Sequence, residues 1–155
     1  MAAESPLTTD ELAFLGAART AVLATVDGAR GPRLVPICFV AMSGENGLRI
    51  YTPLDEKPKE SDDPLALGRV RDILAEPRVW LLVDRWSEDW SELAWLRLTG
   101  RADLLIPDAG AEHAAAVSAL RAKYPQYADH RLEARPIIRI AFERGRSWGN
   151  LDRGA

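Results

Sequence analysis

The stretch Thr20–Ala41, TAVLATVDGARGPRLVPICFVA, constrains the fold more than any other part of this chain. Its first half, Thr20–Val26, is apolar at both strand phases: Val22, Ala24 and Val26 share one face, Ala21 and Leu23 the other. A strand written this way is buried on both sides rather than half-solvated. Asp27-Gly28 and Gly31-Pro32 supply a reversal, and Arg33–Val40 returns as a second apolar strand. Pro36 interrupts that return. Proline cannot donate to a ladder, so it marks an edge, a bulge or a barrel corner. Backbone groups beside it are then free to meet a flat ring with polar edges, although a bulge with no ligand accounts for the proline equally well.

The remaining apolar runs are short and separated by turn chemistry. Leu7-Thr8-Thr9-Asp10-Glu11-Leu12 predicts a helix start, with Thr8 and Glu11 as a capping box and Leu7 stapled onto Leu12. Leu48–Thr52 is a third strand stopped by Pro53. Asp63-Pro64 opens a helix with Leu67, Val70 and Leu74 on one stripe. Arg78–Asp84 and Leu93–Leu105 are the fourth and fifth strands, the latter bent at Gly100. Pro107–Tyr124 predicts an alanine-rich helix with Ala116, Val117, Leu120 and Tyr124 at helical spacing, and Pro136–Phe142 is a sixth strand leading into ERGRSWGN. Six strands, mostly hairpin-linked, with peripheral helices predict a mainly β protein built as a small six-stranded antiparallel barrel. The 155 residues suffice for one domain, residues 1–155, with its core at about 12–150.

Composition excludes several functions. A net charge of −3 speaks against a nucleic-acid footprint or a membrane-surface patch. No apolar run reaches the ~20 residues of a spanning helix, and the first residues are acidic rather than signal-like. The single Cys38 forms no internal disulfide, so the expected location is cytoplasmic. His113 and His130 lack metal-ligand spacing, which predicts no metal site and puts His113 on a helix surface. GxGxxG, Walker and GxSxG motifs are absent, and no acid–base or nucleophilic constellation stands out, so catalytic residues are not assigned. What remains is Tyr51-Thr52 at a strand end, followed by Lys57 and Lys59. A hydroxyl followed by two cations on a short loop can cradle a phosphate. Taken alone, a Lys-x-Lys loop is most often a solvated surface run.

The hairpin TxDGxxGPRLVPICF, the strand end IYT and the lysine loop together resemble the pyridoxamine-phosphate-oxidase-like split barrel, a family of homodimers that bind flavin-type cofactors between subunits. The resemblance spans about Leu12 to Asn150. It implies that Thr52, Lys57 and Lys59 hold the cofactor phosphate, that Tyr51 beside Thr52 is also a cofactor-binding residue, and that the backbone of Val35, Pro36 and Ile37 faces the ring. It also implies that Trp95 approaches the ring and that Trp148 contacts the cofactor across the dimer. The tail KYPQYADHRLEARPIIRI with RSWG resembles the subgroup that uses the deazaflavin coenzyme F420 rather than FMN. The Arg-rich substrate-binding tail of the vitamin B6 oxidases is missing, and Glu60–Arg69 resembles an insertion. The resemblance therefore implies a homodimeric, F420-dependent oxidoreductase acting on a small organic substrate. FMN on the same scaffold, or a non-catalytic deazaflavin carrier, is the alternative.

Overall fold

The capping box forms as the sequence predicts. In the computed structural model, which describes residues 5–54, 63–108 and 110–152, Thr8 caps helix α1 (Thr9–Ala17). The Glu11 N–H donates to Thr8 Oγ1 at 3.2 Å, and the Thr8 N–H donates to Glu11 Oε2 at 2.9 Å. The double-sided run becomes β1 (Ala21–Asp27), paired antiparallel with β2 (Gly31–Ile37). Val22, Ala24 and Val26 are only half-buried, so the expected burial on both sides does not hold: the barrel core covers one face alone. The chain continues through β3 (Val40–Gly44), β4 (Gly47–Pro53), α2 (Gly68–Ala75), β5 (Arg78–Arg85) and β6 (Ala94–Leu105). Helix α3 (Ala111–Lys123) and β7 (Ile137–Gly149) complete it.

The described strands number seven, not six, and form one antiparallel sheet in the order β2-β1-β5-β6-β7-β4-β3. Two expectations fail here. The return strand does not run to Val40 but breaks at Cys38-Phe39, and the last strand extends beyond Phe142 to Gly149. A corner needs partners for the backbone groups it frees, and Tyr124 supplies them. The Phe39 N–H donates to Tyr124 Oη at 3.0 Å, while the hydroxyl faces the carbonyl oxygens of Phe39 and Arg19 at 2.9 and 2.8 Å.

That corner dictates the sheet's shape. In a flat sheet β2 and β3 would lie six spacings apart, roughly 29 Å at ~4.8 Å each. Three Cα steps from Ile37 to Val40 reach at most ~11 Å. The sheet must therefore roll up, and Ile37 of β2 and Ile50 of β4 share one interior cluster with Leu23, Leu81, Leu96 and Ile140. β2 and β3 meet without pairing, so the barrel is split along that seam.

A second cluster lies outside the barrel. Val117, Leu120 and Tyr124, on or just past α3, cover Val40, Tyr51, Leu105 and Ile137, joined by Tyr127 and Leu132. His113 belongs to this buried layer, correcting its expected surface position; its Nε2 lies 2.8 Å from the Arg135 carbonyl oxygen. The helix expected from Asp63-Pro64 divides into a 3-10 turn (Pro64–Ala66) and α2. Its buried stripe is Val70 and Ile73, and Leu74 is 64% exposed, because docking on β1 sets the helix phase. Among the described residues no helix is long and apolar enough to cross a membrane, and no three His, Cys, Asp or Glu residues cluster as metal ligands.

Candidate functional site

Helix α3 covers one side of the barrel exterior; the other side is an uncovered face whose residues follow from the strand registers. Pro36, Val22, Leu82, Arg97 and Arg146 form one row across β2, β1, β5, β6 and β7. Leu34, Ala24, Trp80, Thr99 and Arg144 form the next, and Asp84, Trp95 and Trp148 a third. Within this face lies a cavity of about 470 Å³, walled by Val22, Ala24, Trp80, Leu82 and Trp95 with Asp84 and Arg97 at its polar side. Leu34, 68% exposed, stands at its rim.

A bulge decides which residues reach this face. Thr99 pairs with Arg144 while Gly100 pairs with Phe142, so Glu143 has no register partner. One extra residue reverses side-chain parity along the strand. Before the bulge Ile138 and Ile140 point into the core; after it Gly145 and Ser147 point inward and Arg144, Arg146 and Trp148 point out. Gly145 marks the inward phase, since a Cβ there would collide with Leu7 and Leu98 side chains. Gly100 permits the crossover, because a Cβ there would lie 2.3 Å from the Ala141 carbonyl oxygen.

The residues expected from sequence divide among three places. Trp95 and Trp148 are direct register partners on the uncovered face. Pro36 is exposed on the same face, and β2 is an edge strand, which explains how the ladder tolerates proline. Val35 is half-buried and Ile37 points into the core, so of this tripeptide only Pro36 offers a side chain to that face. Tyr51 lies instead beneath α3, where its hydroxyl donates to Glu112 Oε1 at 2.8 Å. Burial and that bond to a carboxylate push its pKa up to about 12. Arg49 and Arg139 donate to the same carboxylate at 3.1 and 2.8 Å, and Arg139 continues to Asp103. Thr52 is buried and pairs with Ile138. Lys57 and Lys59 lie outside the described residues.

Arg97, Arg144 and Arg146 were not singled out from sequence. The alternation Arg144-x-Arg146-x-Trp148 reveals the last two once ERGRSWGN is read as strand rather than tail. Arg97 lies with its Cζ 5.6 Å from the Trp95 ring centroid. Thr99 Oγ1, beside Arg144, is buried with no hydrogen-bond partner.

Edge-strand backbone, aromatic walls and a cationic border can receive a flat molecule that carries negative charge. His113 is shut beneath α3, His130 stands edge-on to Tyr127, and neither lines the cavity.

Comparison with known proteins gives a consistent assignment. No match is found among curated proteins. Among solved structures, a conserved hypothetical protein of Mycobacterium tuberculosis superposes with a TM-score of 0.70 at 19% identity, covering 95% of this chain and 88% of that one. A heme-binding protein of Mycobacterium smegmatis gives 0.66 at 18% identity, over 95% of this chain and 56% of its own length. An FAD-binding protein of Mesorhizobium loti gives 0.56 at 21% identity, over 86% of each chain. At such identities these likenesses establish the fold. The pyridoxamine 5'-phosphate oxidase family model matches residues 7–149, from the capped first helix through the bulged last strand, and the chain belongs to that family.

Proposed function

We infer that the protein is an oxidoreductase that binds the deazaflavin coenzyme F420 on the uncovered face. The observation that carries this reading is the apolar cavity of about 470 Å³ between edge strand β2 and the Trp95–Trp148 pair. Its volume falls in the ~300–1,000 Å³ range of small-molecule sites. Its walls are apolar apart from Asp84 and Arg97, with no acid–base or nucleophilic constellation among them, as suits a site whose chemistry belongs to a bound cofactor. Coenzyme F420, when bound, supplies hydride transfer at C5 of its ring.

The backbone of Val35–Ile37 at the free edge of β2 would meet the ring edge, and Lys57 and Lys59 would hold the phosphate that follows β4. Trp80 and Leu82 would exclude water from one side of the ring. A second copy of the chain would close over the face, since Leu34, Leu82 and Trp148 leave apolar surface uncovered. F420 is preferred to FMN because of the KYPQY…RSWG resemblance; FMN on the same scaffold is the second reading.

The visible spectrum of protein purified from a host making both cofactors tests the choice directly. A deazaflavin band supports the proposal and an FMN spectrum transfers it to the second reading. A colourless protein that quenches neither cofactor on titration overturns both. Turnover of reduced coenzyme with a panel of electron-poor substrates separates an enzyme from a carrier.

A further inference from the structure

Like charges set directly across two strands destabilise a sheet, and β6 and β7 carry such a pair. Arg97 and Arg146 are register partners, and Arg144 follows on the same outward face. All three are exposed, and none forms an ion pair with a carboxylate among the described residues. The other end of the same two strands is built oppositely. There Arg139 faces Asp103, is bonded to it at 2.6 Å, and reaches Glu112 at 2.8 Å. Asp84, the carboxylate in the cavity wall, lies two register pairs along from Arg97 and makes no ion pair with it. The Glu143 bulge is what turns Arg144 and Arg146 outward, so the fold presents this charge beside the cavity through a specific backbone device.

We propose that Arg97 and Arg146 grip the acidic group of a planar organic anion whose apolar body lies at the Trp95 end of the cavity, beside the β2 end assigned to the ring. Guanidinium forks match a carboxylate or sulfonate in a bidentate manner, and an anion spanning both side chains relieves their mutual repulsion. Naming that anion the substrate rests on the oxidoreductase reading; the anion site itself does not. Arg97 and Arg146 sit at the β6–β7 end of the face, away from the β2 edge assigned to the cofactor ring.

The test uses the full chain without cofactor and two fluorescent probes, 8-anilinonaphthalene-1-sulfonate and the neutral N-phenyl-1-naphthylamine. Arg97→Gln with Arg146→Gln should weaken the sulfonate about tenfold or more and leave the neutral probe within about twofold. Arg97→Lys with Arg146→Lys, which keeps the charges but loses the forks, should fall between. Arg101→Gln, on the same strand but outside the cavity lining, should change neither probe. An unchanged sulfonate affinity, or equal losses for both probes, overturns the proposal. FMN and riboflavin are then titrated against the same variants. Selective loss of FMN would assign the arginines to the cofactor phosphate and overturn the substrate assignment; equal retention of both supports it. A wild type that quenches neither coenzyme F420 nor FMN but keeps its sulfonate preference defeats the oxidoreductase reading while the anion site stands.

Discussion

Asp72 is the residue whose removal should most directly disturb the edge strand assigned to the cofactor. It lies on α2 with 6% exposure, and its Oδ2 accepts from Thr25 Oγ1 at 2.6 Å and from Arg33 Nε at 2.8 Å. One carboxylate thus joins α2 to β1 and to β2. Asp72→Ala would leave the buried Thr25 hydroxyl unsatisfied, at ~1–3 kcal/mol. The Arg33 bond contributes less, because that side chain is 36% exposed and also pairs with Asp27. A total near ~2–3 kcal/mol corresponds to a melting-temperature drop of roughly 4–12 °C in a domain of this size. Thr25→Val should lose part of the same energy, so the double variant should be milder than the sum of the singles.

The pH dependence has a defined sign. Burial pushes the Asp72 carboxyl up, but hydrogen bonds from Arg33 and Thr25 and the Arg33 charge outweigh it, holding the pKa below its ordinary value. A depressed carboxylate contributes stability above its unfolded pKa of ~3.9, and that contribution is lost as pH falls through the lower folded value. The stability gap between wild type and Asp72→Asn should therefore be full at pH 6 and shrink toward the acid limit. Thermal melts from pH 2.5 to pH 7 measure it. A pH-independent gap, or strict additivity with Thr25→Val, would refute the reasoning.

Three other outcomes follow from particular contacts. Gly100→Ala should lower the urea midpoint by an amount equivalent to ~1–3 kcal/mol, because the new Cβ meets fixed backbone at Ala141 rather than a movable side chain. Lys123 lies 4.1 Å over the Phe39 ring, and burial with the neighbouring Arg19 lowers its pKa to about 8. The unfolded chain then binds more protons between pH 8 and about 10, so stability from this group rises with pH there; Lys123→Met should abolish that rise in denaturant titrations. Trp148→Ala should leave the melting temperature within about 2 °C, since the ring is 53% exposed, yet weaken cofactor binding measured by fluorescence quenching.

Much of the fold was legible because the signals were local. Thr8 and Glu11 sit three apart, where a capping box needs them, and Pro36 could occupy only an edge or an irregular position in a sheet. Short apolar runs bounded by turn residues located β1, β4 and β5 to within a few residues, and Gly100 announced the irregularity in β6. The resemblance points to Trp95 and Trp148 separately, and their direct pairing lies in the register of β6 with β7.

Other features depended on contacts between distant segments. The corner at Cys38-Phe39 exists because a hydroxyl 85 residues away satisfies its backbone, and no local pattern encodes that partner. His113 is buried because α3 turns it onto the barrel exterior, whereas its helical spacing fits either face. The outward phase of Arg144, Arg146 and Trp148 rests on a single unpaired residue, Glu143, whose bulge is defined only against β6. By itself the sequence determined where most strands and helices lie and that the opening pair of strands folds back as a hairpin. The tertiary structure decided which half of the barrel α3 covers and which phase of β7 faces out, because absolute phase along a strand is set by what packs against it.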